Sequence, residues 1–436
     1  MKRVAAVLLT IMTAFMLLTG CGAKPAAPSA ASSTEYGHAD KCVIIVLDGF
    51  TSNYLTRLGG KSNLASLSAN GACCLTFRST YPTHTCTNHA TIMTGVGAAD
   101  HGIVGNDRLG DDGKTFVKNV EAEMIQVPTL FEIASAEGKK TAMVSGKNNE
   151  VTLLSKGLDV GVSNKRTLDY LSAPPEIEDT NDNDEYFSYN MKLADWVFDS
   201  LYTVLKTEDP DLTVVNIQST DYIGHRFGPE SEEIDKCLEA VDKQLGNLYK
   251  KMEKDGMLGN TAVFITADHG MTPTDKAIWL DKICRGAFPD SGAVYDGRNG
   301  YIWLGENDDA QEVMEYFRGV EGVREVFERD SDKARELNVD WAGGPDIFLE
   351  SDTGYMFLPE PVLKYYRGQH GSQDDTDAVI PLIAFGAGIP AGAGIEESDL
   401  RGVAPLVCRL MGLTPGNFDL EAPALLPQQE RGMFGS

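Results

Sequence analysis

Three continuous apolar runs, each leading into an aspartate, constrain this sequence more than anything else in it. Residues 42–47 (C-V-I-I-V-L) end at Asp48-Gly49, residues 212–218 (L-T-V-V-N-I-Q) lead into Ser219-Thr220-Asp221, and residues 261–267 (T-A-V-F-I-T-A) end at Asp268-His269-Gly270. A strand without polar alternation is buried on both faces, as in a parallel sheet covered by helices. Helical stretches alternate with the runs. Ile234, Leu238, Val241, Leu245 and Leu248 form one amphipathic stripe, and segments 127–137 and 189–206 read as further helices. Residues 71–77, 140–144 and 380–385 supply more strands. The alternation predicts an α/β fold with a mostly parallel sheet and helices on both faces. Such sheets bind ligands beyond the carboxyl ends of their strands, where Asp48, Asp221 and Asp268 all fall.

A second concentration of chemistry runs from Ser79 to Asn106: S-T-Y-P-T-H-T-C-T-N-H-A-T-I-M-T-G-V-G-A-A-D-H-G-I-V-G-N. Thr83, Thr85 and Thr87 stand just before a helix-like run at 90–94. A hydroxyl there can cap the helix. It can equally be a nucleophile held where free N–H groups favour an anion. Both readings stand on these residues alone.

Composition narrows the partners. With 436 residues and a formal net charge of −26, the chain is no general binder of nucleic-acid duplexes. An acidic protein still accepts small anions if cations reverse the field in its site. At the N-terminus, Lys2 and Arg3 precede an apolar run at 4–18, too short for an ordinary membrane span. It closes on Leu18-Thr19-Gly20-Cys21, which resembles a bacterial lipoprotein lipobox. That resemblance implies a signal peptide over 1–20, lipid on Cys21, and export with anchoring to the outer side of the cell membrane. Residues 21–40, rich in Ala, Pro and Ser, read as a disordered tether. The other seven cysteines lack paired spacing and suggest no disulfide framework beyond one possible bridge.

The α/β core is expected over 41–281. At 282–345 the pattern changes to a small α+β insert, with strands near 300–305 and 323–328 around a helix at 310–318. The core is expected to return over 346–436, beginning with Asp346 to Leu349.

Each strand-end aspartate alone is a common way to begin a loop, and each nearby histidine alone is commonly structural. Their combination points elsewhere. His225 lies one helical turn after Asp221, His269 adjoins Asp268, and His370 sits in a glycine-flanked loop. Mixed Asp and His sets suit zinc, and six such ligands with one hydroxyl suffice for two ions. Two metals ~4 Å apart stabilise the attacking and leaving oxygens of phosphoryl transfer.

These blocks, V-L-D-G, T-C-T-N-H, T-G, H-G-I-V-G-N, D-Y-I-G-H-R-F-G-P-E-S-E-E, T-A-D-H-G-M and Q-H-G-S, resemble the alkaline phosphatase superfamily. Within it they are similar to the type I phosphodiesterases and nucleotide pyrophosphatases. The resemblance covers about residues 43–385 and implies an alkaline-phosphatase-like core. It implies Thr85 as nucleophile and two Zn2+, with another divalent metal as the alternative. Asp48, Asp268, His269 and the Thr85 oxygen would hold one ion, and Asp221, His225 and His370 the other. Asn106 would hydrogen-bond a non-bridging oxygen. A covalent phosphothreonine intermediate would follow and be hydrolysed. His84, His89 and His101 match no ligand position and read as structural or supporting groups.

Two departures bear on the substrate. Nucleotide-cleaving members carry an aromatic residue after the nucleophile, to stack on the base; here it is Cys86. Their W-P-G block is replaced by V-S-G-K-N-N at 144–149, whose Lys147 is more similar to phosphonoacetate hydrolases, where lysines grip an anionic end. Read alone, Lys147 is equally an ordinary surface residue. The expected substrate is a small phosphorylated or phosphonate compound, with phosphodiester or pyrophosphate hydrolysis first and C–P hydrolysis second. A lipoprotein that binds a metal or phosphate without turnover is the non-enzymatic alternative. Sequence leaves the oligomeric state open.

Overall fold

The computed structural model describes residues 35–110, 116–176, 180–359 and 366–427. The segment expected to be a signal peptide, and Cys21, lie outside these residues. Among the described residues no helix is long and apolar enough to cross a membrane, and the seven cysteines there are buried and not joined in disulfides.

The apolar runs assemble one nine-stranded sheet. Its order is Leu425–Leu426, Ala393–Ile395, Ala72–Arg78, Val379–Gly386, Thr261–Thr266, Lys41–Leu47, Leu212–Ile217, Thr141–Ser145 and Val160–Ser163. The three aspartate-bearing runs are neighbours and parallel, with Lys41–Leu47 in the middle. Val379–Gly386 runs against both its partners, which makes the sheet mixed. Its eight residues are apolar throughout, and such a run reads the same whichever way its strand points. Helices cover both faces. The longest, Asn183–Thr207 and Glu232–Lys254, pack on each other and bury their apolar stripes against the sheet.

Residues 37 and 39 are already held by the core. Gly37 N–H donates to Gly388 O at 2.8 Å, Ala39 N–H donates to Leu410 O at 3.0 Å, and Ala39 is buried. The end of the expected tether is therefore docked, because small residues let its backbone reach carbonyls of the turn after Val379–Gly386 and of the last turn of helix Val403–Met411.

A second, antiparallel sheet contains four strands in the order Gly292–Asp296, Asn299–Trp303, Ile347–Ser351 and Val323–Glu328. The expected return of the core at 346–349 is corrected here. Ile347–Ser351 is an inner strand of this small sheet, paired with Asn299–Trp303 and Val323–Glu328. A fully buried I-F-L-E-S run carries no mark of which sheet it will join. One side packs on helices Leu280–Ala287 and Ala310–Arg318 through Ile302, Phe317 and Leu349. The other packs Tyr301, Phe327 and Phe348 on Tyr81, Ala98 and Val104 of the threonine-rich stretch. The small sheet thus presses on the segment that carries Thr85.

A short three-stranded sheet completes the frame. Thr272–Trp279 pairs with Gly368–Gln369 and Gly354–Leu358. It sets His370 beside the chain that has just left Asp268 and His269.

Candidate metal centre and active site

Asp48, Asp221 and Asp268 converge because their three strands are adjacent, parallel and end together. Residue pairs Leu47–Ile217 and Val46–Thr266 are in register. Gly49 has a φ of +71°, and a Cβ there would fall 2.9 Å from the Asp221 Cα. Glycine is required for the turn and for this approach. Asp221 and His225 lie on helix Ser219–Phe227, with His225 Nε2 3.0 Å from Asp221 Oδ1.

Thr85 opens helix Thr85–Thr94, so the helix begins five residues earlier than the apolar pattern indicates. The hydroxyls around it differ in use. Thr83 Oγ1 accepts from Gly371 N–H and donates to Ser372 O, and Thr87 Oγ1 accepts from Gly105 N–H. Thr85 Oγ1 instead points to His269 Nε2 at 3.2 Å. It does not cap the helix: the N-cap is His84, which makes no side-chain capping bond.

The imidazoles show what the cluster is built to receive. His225, His269 and His370 each direct Nδ1 to a main-chain carbonyl, of Gly368, Gly270 and Thr83 respectively, at 2.8 Å. A carbonyl only accepts, so Nδ1 carries a proton and Nε2 is left facing the carboxylates. This is the way metal-binding histidines are oriented. Nε2 of His269 lies 3.6 Å from Asp48 Oδ1 and 3.5 Å from Asp268 Oδ2, and Nε2 of His370 lies 3.7 Å from Asp221 Oδ1. The His269 and His370 rings stack with centroids 3.5 Å apart. Burial holds both pKa values below the ordinary histidine value, and His269 adds to the effect on His370. His225 differs: burial pulls its pKa down, but Asp221 raises it above the ordinary value.

One oxygen of each carboxylate is left over. Asp48 Oδ1, Asp221 Oδ1 and Asp268 Oδ2 are buried without a hydrogen bond. Burial, and then Asp48, push the Asp268 carboxyl well above the usual range. Ligand atoms of Asp48, Asp268 and His269 all lie within 4.8 Å of one another, as do those of Asp221, His269 and His370. Orphaned carboxylate oxygens beside the Nε2 atoms of His269 and His370, whose pKa values are lowered, fit divalent cations. His269 belongs to both groups, and His225 adjoins the second through Asp221.

Lys147 is a member of this cluster and not a surface residue. Its Nζ is 2.8 Å from Asp48 Oδ2 and 2.7 Å from Asp221 Oδ2, over the Tyr222 ring. Burial opposes its charge, but Asp221 and Asp48 together raise its pKa well above the ordinary value. Lys147 and His225 side chains are 13% and 18% exposed while the Asp48, Asp268 and His269 side chains are fully buried, so the cluster opens on the Lys147–His225 side.

Asn106 stands across the helix start from these groups. Its Oδ1 accepts from Cys86 N–H at 3.0 Å, and its Nδ2 lies 3.5 Å from Asp296 Oδ1. Cys86 itself is buried and offers no stacking surface. His89 donates Nδ1–H to Thr85 O, and His101 bridges Thr91 and Ile103 N–H, so both act as supports.

Two participants escape a reading of sequence. Asn216 Nδ2 donates to Asp48 Oδ2 at 2.8 Å; a lone amide within an apolar run was the available signal. Asp296, on the small sheet, accepts from Asn106 N–H at 2.6 Å. In sequence its D-G pair reads only as a hairpin turn.

A doubly covered α/β sheet with a carboxylate–imidazole cluster at its strand ends is the arrangement expected of a metal-dependent hydrolase of the alkaline phosphatase type. Residues 42–373 match the family model for type I phosphodiesterase / nucleotide pyrophosphatase, and the chain belongs to that family of phosphoric ester hydrolases. It is 25% identical to Homo sapiens ectonucleotide pyrophosphatase/phosphodiesterase family member 7, over 98% of this chain and 90% of that protein. It is 22% identical to a Xenopus laevis bis(5'-adenosyl)-triphosphatase, over 86% of this chain and 78% of that one. Among solved structures, an inactive murine ectonucleotide pyrophosphatase / phosphodiesterase 5 in complex with AMP has a TM-score of 0.70 at 18% identity, over 87% of this chain and 97% of that one. The phosphonoacetate hydrolase of Sinorhizobium meliloti in complex with phosphonoacetate has a TM-score of 0.63 at 21% identity, over 82% of this chain and 92% of that one. Both likenesses concern the fold.

Proposed function

We propose that this protein hydrolyses phosphodiester or pyrophosphate bonds with Thr85 as nucleophile and two zinc ions as cofactors. The observation that carries the reading is the set of three strand-end carboxylates and three Nε2 atoms gathered beside the Thr85 hydroxyl. Asp48, Thr85, Asp268 and His269 would hold one ion, and Asp221, His225 and His370 the other. Bound there, the ions lower the pKa of a hydroxyl and neutralise phosphoryl oxygens.

The chain's own groups do the remainder. Thr85 Oγ1 attacks phosphorus as the bond to the leaving oxygen breaks, and water then cleaves the Thr85 ester and restores the hydroxyl. Asn106, its Oδ1 already engaged by Cys86 N–H, presents NH2 to a non-bridging oxygen. The positive end of the helix Thr85–Thr94 dipole lies at Thr85 and favours the same anion. Lys147 is the side chain placed to bind an anionic substituent. Replacing Thr85 by Ala is expected to lower turnover roughly 10⁴-fold, with the fold and zinc content retained. Unchanged hydrolysis would remove Thr85 from the mechanism.

A second reading, cleavage of a C–P bond in a phosphonoacetate-like substrate, is favoured by one observation: the buried position of the Lys147 ammonium. The two separate on a panel of bis(p-nitrophenyl) phosphate, p-nitrophenyl phosphate and phosphonoacetate with zinc, each repeated with a chelator. Diester preference abolished by chelation supports the first reading, and phosphonoacetate preference the second. We also propose export and lipid anchoring through Cys21. Labelled palmitate should enter the full chain in a bacterial host and be lost on Cys21→Ser; equal labelling would exclude that anchor.

A further inference from the structure

The small sheet reaches the site through one tight turn. Asp296 and Asn299 pair across Gly297-Arg298, and Gly297 has a φ of +55°. A Cβ on Gly297 would fall 2.5 Å from His370 O, so the turn is pressed onto the His370 loop. Arg298 N–H donates to that same carbonyl at 2.9 Å. The Arg298 side chain is fully buried. Its guanidinium donates to Ser372 Oγ (2.6 Å), Asp377 Oδ2 (3.1 Å) and Ser351 O (3.1 Å), and pairs with Asp374 Oδ2 at 2.8 Å. Asn299 Oδ1 meets His84 Nε2 at 2.9 Å, next to Thr85, while its Nδ2 donates to Tyr81 Oη at 2.9 Å. The turn is therefore immobilised on two sides of the site before Asp296 is considered.

Asp296 contacts the third side. Oδ2 accepts from Asn106 N–H at 2.6 Å and lies 3.6 Å from His84 Nε2, and Oδ1 is 3.5 Å from Asn106 Nδ2. Its side chain is only 11% exposed. A carboxylate beside the place where an anionic substrate would rest is electrostatically unfavourable, so its presence needs a compensating role. The contacts supply one. A carboxylate only accepts, so it fixes the Asn106 backbone and biases the side-chain amide to show NH2 on this side. Cys86 N–H fixes the carbonyl end. Together they leave one amide hydrogen free for a phosphoryl oxygen.

We propose that Asp296 is a positioning residue for Asn106, through which the small sheet becomes part of the catalytic site. This rests on the reading of Asn106 given above. It does not require that Asp296 touch substrate.

The test is a double-mutant cycle on the full chain loaded with zinc, using bis(p-nitrophenyl) phosphate. Asn106→Ala is expected to lower kcat roughly 100-fold. Asp296→Ala is expected to lower kcat at least about 10-fold, with KM and the number of bound zinc ions unchanged. The double variant should lose no more than Asn106→Ala alone. Multiplying losses, or an impaired Asn106→Ala beside an unimpaired Asp296→Ala, overturn the proposal. A fully active Asn106→Ala overturns the earlier reading of Asn106 instead. If Asp296→Ala fails to fold by near-ultraviolet circular dichroism, Asp296→Asn takes its place under the same non-additivity requirement. It keeps the shape and an acceptor oxygen but loses the obligate-acceptor character.

Discussion

The carboxyl edge of the main sheet and the turn of the small sheet both place side chains at one site, by different physical means. At the sheet edge the backbone does the placing: adjacent parallel strands ending together bring Asp48, Asp221 and Asp268 into one cluster. At the turn, side chains do it. Asp296, Arg298 and Asn299 act through hydrogen bonds to partners 190 or more residues away for Asp296, and at least 53 for Arg298 Nη2. The first means depends on the ladder and tolerates exchange of neighbouring apolar residues. The second depends on individual polar atoms, each costly to bury without its partner. One region should therefore govern metal content, and the other orientation and local stability.

Of the effects that separate the two regions, the largest tests the edge. His370→Ala removes one Nε2 from the cluster, and elemental analysis should then find fewer than two zinc ions per chain, with hydrolysis lowered about 100-fold or more. Full retention of two ions would take His370 out of the ligand set. It would also weaken the claim that the edge governs metal content.

A smaller effect tests the small sheet. Arg324 pairs with Glu350, whose side chain is fully buried, and with Asp374. Burial raises the Glu350 pKa, with Arg324 opposing the shift. Arg324→Met leaves that carboxyl without its cation and should cost about 2 kcal/mol of stability, since the arginine itself is partly exposed. Urea unfolding measures this, and zinc content should not change. A loss of zinc would show that the two regions are not separable in the way argued.

An effect absent at neutral pH, and growing only as pH falls, concerns His101, which bonds to Thr91 of the Thr85 helix and belongs to neither region. Burial lowers its pKa from 6.5 to about 3. A folded-state value below the unfolded one means stability is present above pH 6.5 and lost as pH falls towards 3. His101→Asn should flatten that dependence by up to roughly 1.4 kcal/mol per pH unit. Melting temperatures between pH 7 and 4.5 decide the point, and an unchanged slope would assign the loss to other groups.

Much of the site was legible because its signals are local. An apolar run closed by an aspartate, a histidine beside it or one turn later, and a hydroxyl cluster before a helix are all short-range patterns. Lys147 illustrates the limit. As one lysine in a polar segment it fits the surface as well as the site, and only the packing of segment 144–149 against the ends of two strands put its ammonium between Asp48 and Asp221. Ile347–Ser351 shows the same limit for the fold. Its residues say "buried strand" and nothing about which sheet supplies its partners.

By itself the sequence determined the α/β alternation, the polarity at the strand ends and the identity of the candidate ligands, because these depend on side-chain periodicity and residue type along one segment. Tertiary structure alone decided that His269 stands within both ligand groups, that the sheet is mixed, and that Asp296 faces Asn106. Those outcomes depend on register and contact between segments far apart in the chain. There the free energy lies in pairs of buried atoms that no single stretch of residues contains.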